Sequence, residues 1–189
     1  MRLKKECFML GSLIKRKIDT EKFSNVFVNS MLQISDTGFE DLCEMIREDS
    51  AFVSMPKIDA KLSDQFLLIL ISGNLNYLSD YFETAEIKEV KKLIIQKFAL
   101  AFDVSPDEFE QLIEDTKGFI SQVNHPSKNM RYGMSKAIFH QFELNQYQED
   151  YFRSMKTPNP LFLKRMDDIM QHFLWNWDQF FRKHKFHLN

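Results

Sequence analysis

Turn formers, cysteines and long apolar runs are all scarce in this chain of 189 residues. Five glycines and five prolines suffice to punctuate helices and are too few for the turns of a many-stranded sheet. The two cysteines, Cys7 and Cys43, match no metal or redox spacing. Both fall at apolar helix positions, which predicts buried free thiols and a reducing compartment. The longest wholly apolar run, Phe66 to Ile71, is far short of the ~20 residues that a membrane-spanning helix needs. The basic start MRLKK leads into a short apolar patch, but that patch runs into Lys15, Arg16 and Lys17 with no small-residue cleavage site, so no export signal is read and a cytoplasmic location is expected. Charge of one sign is lacking too. A net charge of −2 provides no global field to recruit nucleic acid or membrane.

Large apolar side chains are abundant instead, with nineteen phenylalanines and ten methionines promising a bulky, adaptable core. Their spacing is helical throughout. In the stretch Pro158–His187, Phe162, Met166, Ile169, Phe173, Trp177 and Phe180 recur every three or four residues, one face of a 3.6-residue repeat. Asn159 is a candidate N-cap and Pro160 suits the first helical position. The expectation is therefore an all-α fold: one compact domain over residues 1–189, about nine helices arranged around a long aromatic-rich C-terminal helix. Regular β structure is expected to be essentially absent.

Earlier segments follow the same logic. Residues 2–18 place Leu3, Cys7, Leu10 and Ile14 on one face, flanked by Arg2, Lys4, Lys5, Lys15, Arg16 and Lys17, a basic amphipathic pattern suited to an anionic surface or partner. Asp19 or Thr20 is positioned to cap the next helix, and Gly38 to end it. A shorter segment with Phe39, Leu42, Cys43 and Ile46 follows, then a loop at residues 50–56. Asp59 to Phe82 reads as one long helix, with close packing expected at Gly73. Thr84 is a candidate cap for the helix carrying Ile87, Val90, Ile94 and Phe98. Ser105, Pro106, Asp107 and Glu108 form a capping box with proline at the first helical position. Helices are further expected over residues 128–143 and, capped by Asn145, through Phe152.

Chemistry-bearing motifs are missing. No pair of Glu-x-x-His motifs, Gly-rich phosphate loop, Gly-x-Ser-x-Gly elbow or His-Glu-x-x-His motif occurs. No catalytic residue, metal or cofactor is therefore assigned. Cys43 has Asp41 and Glu44 nearby in sequence, which do not favour a thiolate. Ala99–Phe109 superficially looks like the turn of a helix-turn-helix, but its second helix carries Asp107, Glu108, Glu110, Glu114 and Asp115, charges that repel phosphates, so no specific nucleic-acid binding is expected. Acid is concentrated at Asp36–Asp49 and Asp103–Asp115 and base at the two chain ends, a polarised surface able to steer a partner. The preferred function is a non-enzymatic module binding a protein partner or its own copy. The alternative is a helical binding domain for a small apolar ligand, signalled by a closed cavity. On a continuous C-terminal helix Trp175 would point away from the apolar stripe, among Gln171, Gln179 and Arg182, which makes these four the candidate interface.

Overall fold

The computed structural model describes residues 15–188. Cys7 and the apolar face expected over Leu3–Ile14 lie outside them. The chain runs β1 (Arg16–Asp19), α1 (Thr20–Glu48), α2 (Leu62–Leu75), α3 (Leu78–Tyr81), α4 (Thr84–Phe102), α5 (Pro106–Asn124), α6 (Met130–Gln141), α7 (Asp150–Met155), α8 (Pro160–Met170), α9 (Trp177–Lys183) and β2 (His184–His187). Single 3-10 turns occupy Leu144–Tyr147 and Gln171–Phe173. The class is all-α.

The start signals written in the sequence operate as chemistry requires. Asp19 Oδ1 accepts from Lys22 N at 2.8 Å and opens α1. The Ser105 and Glu108 side chains exchange hydrogen bonds with each other's backbone at 3.2 and 2.8 Å and open α5. Asn159 accepts from Leu161 N at 2.9 Å ahead of Pro160. At α4 the cap is Glu83 rather than Thr84; Glu83 and Glu86 form the reciprocal box and Thr84 is already helical.

The organising element differs from the expected one. α2 is buried from Phe66 to Leu75 with only Leu68 partly open, and it lies against α1, α5 and α6. A helix apolar all round belongs at the centre of a domain. Two aromatic cores flank it. One joins Phe23, Phe27 and Met31 of α1 to Val90, Ile94 and Phe98 of α4 and to Trp177. The other joins Leu42 and Ile46 of α1 to Met134 and Phe139 of α6 and Phe162 and Met166 of α8. Gly73 does mark a close approach: a Cβ there would lie 2.7 Å from Met134 Cε.

Four expectations are corrected. The long C-terminal helix is interrupted between α8 and α9, where Leu174 is extended. Helical spacing continues across the gap although the halves face different cores, Phe162 and Met166 of α8 one and Trp177 of α9 the other; Asn176 accepts from Gln179 N at 2.9 Å and starts a new helix. α1 does not stop at Gly38; the missing Cβ instead lets the Phe173 ring lie on the α1 backbone. The helix expected over 59–82 breaks after Leu75, where Tyr77 N turns back to Asn74 O at 3.1 Å. Arg16–Asp19 is extended rather than helical and pairs in parallel with His184–His187, Ile18 beside Phe186. That pairing suits two-residue alternation: Ile18 is buried, and Phe186 meets Phe82 at 4.8 Å, while Lys17 and Lys185 face outward.

Candidate interaction groove

The clearest concave surface lies between the second half of α1 and α8. On α1, Ile34, Gly38, Asp41, Met45 and Glu48 succeed one another at intervals of four or three and so share one side of the helix. Opposite stand Arg165, Asp168 and Ile169 of α8, followed by His172 and Phe173. Two adjoining hollows, of about 790 and 510 Å³, share Asp41 and Ile169 and form one trough open to solvent.

Both ends of the trough are pinned. At one end the Asp49 carboxylate, its side chain 2% exposed, accepts a bidentate pair of bonds from Arg165 at 2.5 and 2.7 Å. It also accepts from Ala51 N at 2.9 Å, which fixes the turn after α1. Arg165 is thereby held above its usual value by its bond to Asp49 and its charge is spent on that partner. At the other end Phe173 sits on Gly38, and its ring meets Phe66 edge-on at 5.1 Å.

Between these pins the rim and the floor differ. Asp41, Glu44, Glu48 and Asp168 are exposed and, among the described residues, enter no ion pair. Leu42 and Phe173 are buried beneath, while Ile34, Met45 and Ile169 are half-buried. The trough is thus acidic towards Glu48 and apolar towards Ile34. Such a surface offers hydrophobic contact plus attraction for positive charge. Beneath it, burial pushes the Cys43 thiol up to about 11.

The expected interface around Trp175 is reorganised by the break before α9. Trp175 does not point to the polar side of a continuous helix. Its ring is half-buried against Phe23, Phe27, Trp177 and Phe180, with centroids 4.7–5.5 Å apart. Gln179 joins it in lining a hollow of about 250 Å³ with Val26, Phe180 and Lys183. Gln171 faces elsewhere and accepts from Arg131 at 3.3 Å beside the Arg131–Asp167 pair. Arg182 is exposed on α9. Two of the four candidates, Trp175 and Gln179, therefore share a surface.

Sequence reasoning passed over the α1–α8 trough, although half its signal was visible as the acid concentration at Asp36–Asp49. The other half was not, because nothing local indicates that α8 stops opposite that stretch. Among the described residues no helix is long and apolar enough to cross a membrane, and no three His, Cys, Asp or Glu side chains gather as metal ligands would. Comparison with protein-family models, with curated proteins and with solved structures finds no match to this chain.

Proposed function

We propose that this chain is a non-enzymatic interaction module whose α1–α8 groove receives a helix of a protein partner. The trough itself carries the reading: it is long, open, apolar along its floor and rimmed by four carboxylates without partners among the described residues. From Ile34 to Glu48 it extends about 21 Å, the length of roughly four helical turns. Grooves of this kind take an amphipathic helix by its apolar face, and the acidic rim selects one with basic flanks. A small apolar ligand would be better served by a closed cavity than by hollows open to water.

Affinity purification of the tagged chain from its own cell, read by mass spectrometry, tests the proposal when three forms are compared. Proteins captured by the native chain should be lost with Ile169→Glu, which puts charge into the apolar floor. They should be retained with Leu100→Glu, at a position 84% exposed on α4. The same captured set with all three forms would overturn the groove as the binding surface.

A further inference from the structure

We propose that the β1–β2 pair presents a docking surface for an anionic phospholipid bilayer. The parallel pairing sets two stretches remote in sequence side by side, Lys15–Lys17 and Arg182–Lys185. Lys15, Arg16, Lys17, Arg182, Lys183 and Lys185 are all exposed, and none has an ion-pair partner among the described residues. Lys17 lies directly beside Lys185 in the register. Like charges in such a pair oppose strand association. The fold nevertheless holds them together, and a layer of negative charge would remove that repulsion.

The carboxylates nearest the patch are engaged elsewhere. Asp19, beside His187 in the register, accepts from Lys22 N at 2.8 Å and pairs with Lys22 Nζ at 3.1 Å. Glu21 pairs with Lys97 at 2.6 Å, and Asp178 accepts from the Tyr81 hydroxyl at 2.9 Å. A net charge of −2 gives the chain as a whole no attraction for an anionic surface, but the charges are separated. Glu44 lies about 36 Å beyond Thr20 along α1, several times the screening length of ~8 Å at physiological ionic strength. The basic end therefore acts on a nearby surface without opposition from the acidic one.

The composition of the patch selects a bilayer over a nucleic acid. Most of its cations are lysines, point charges suited to a diffuse layer of headgroups, whereas arginine forks mark defined phosphates. Apolar groups border it. Leu188, directly after β2, and Val26 of α1 are each 41% exposed. Val26 shares a hollow with Trp175, Phe180 and Lys183, so aromatic edges and a cation meet at one opening, a combination suited to the boundary between headgroups and acyl chains. Phe180 already stacks on His184 at 4.3 Å, which closes that ring face to a nucleobase. The patch is separate from the α1–α8 groove, which begins at Ile34, about 21 Å beyond Thr20 along α1. The proposal therefore stands independently of the groove's occupant.

Cosedimentation of the full chain with vesicles of phosphatidylcholine alone, or with about 30% phosphatidylserine added, tests the proposal. Binding should be at least about tenfold stronger with phosphatidylserine and should fall as salt rises. Lys17→Glu with Lys185→Glu keeps a like-charged pair in the register while reversing the patch, and should weaken binding at least about tenfold. Lys88→Glu with Lys92→Glu makes the same change in net charge at exposed positions of α4 and should leave binding within about twofold of native. If the reversed strand pair does not fold, Lys17→Gln with Lys185→Gln, which removes the repulsion, should still weaken binding at least about threefold. Equal binding to the two vesicles, equal loss in the α4 and strand variants, or no loss in the strand variants would each overturn the proposal. So would a native chain that binds duplex or single-stranded nucleic acid but not phosphatidylserine vesicles, since the patch would then serve a different polyanion.

Discussion

Asn74 and Trp175 are 101 residues apart in the chain, yet the Asn74 side-chain oxygen accepts a hydrogen bond from the Trp175 backbone N–H at 2.8 Å. The same amide donates to Phe173 O at 3.1 Å and to Leu70 O at 2.9 Å. One buried side chain of α2 therefore serves backbone groups that a continuous C-terminal helix would have satisfied internally. Buried amides need such partners, so Asn74 makes the break between α8 and α9 tolerable inside the core. The break in turn folds Trp175, Trp177 and Phe180 back onto Phe23 and sets Phe173 against Gly38, at the end of the groove.

Asn74→Ala should therefore do more than remove three hydrogen bonds. It strands the Phe173 carbonyl and the Trp175 N–H in the core, each worth about 1–3 kcal/mol when left unsatisfied. A loss of about 3–5 kcal/mol is expected in chemical denaturation, with the near-ultraviolet signal of the tryptophans altered in the folded baseline. A loss under about 1 kcal/mol would show that Asn74 does not hold the break.

Local signals carried more of the fold than long-range ones did. The Ser105–Glu108 box and the Asn159–Pro160 start depend on neighbours a few residues away, and each forms as read. The break at Leu174 depends on Asn74 meeting Phe173 and Trp175, which no local pattern encodes. Gly38 misled for a related reason: a glycine that admits a distant ring has the same local sequence as one that ends a helix. The strand pair escaped notice because four residues at each chain end are too short for alternation to rise above helical spacing. At the candidate site the acidic half of the groove was legible in composition, whereas its facing wall was not.

Trp175→Ala separates a role in the core from one at a surface. With four aromatic neighbours at 4.7–5.5 Å, its removal should cost about 3 kcal/mol of stability, the low end for a large aromatic because the ring is half-buried. Thermal or denaturant unfolding measures this. A change within about 0.5 kcal/mol, the usual range for surface positions, would contradict the packing described.

Acidification should weaken the fold in two stages. Burial, and then the nearby Lys136 charge, lowers His140 from its ordinary 6.5. The unfolded chain thus takes up this proton first, so the stability that His140 confers is complete above pH 6.5 and is lost as pH falls from there through its folded value. Lower down, the bond from Ser105 N–H holds Glu108 below its ordinary 4.5, and the capping box loses strength as pH falls through that carboxylate's folded value. Unfolding midpoints between pH 7.5 and 5 should decline in the native chain and decline less in His140→Asn. Equal slopes in the two proteins would exclude His140 as the source of the first stage.

Glycine-to-alanine changes at two helical positions should have opposite signs. Helix propensity alone favours alanine by about 1 kcal/mol at either site. At Gly118, exposed in the middle of α5, an added Cβ meets nothing within 4 Å. The full propensity gain is available there, partly through a less flexible unfolded chain, and Gly118→Ala should stabilise by about 0.5–1 kcal/mol. At Gly38 an added Cβ would lie 2.9 Å from Phe173 Cζ and overlap Cε1 of the same ring. That ring is stiff and backed by Phe66, so it cannot yield as a methionine tip would. Overpacking of this kind costs about 1–3 kcal/mol, which exceeds the propensity gain. Gly38→Ala should therefore be net destabilising, and it should also shift Phe173, the wall at the apolar end of the groove. Gly38→Ala combined with Phe173→Leu should recover part of the loss, since the smaller side chain vacates the contested space; the double-mutant cycle isolates that coupling. Stabilisation by Gly38→Ala alone would mean that α1 does not approach Phe173 as closely as described.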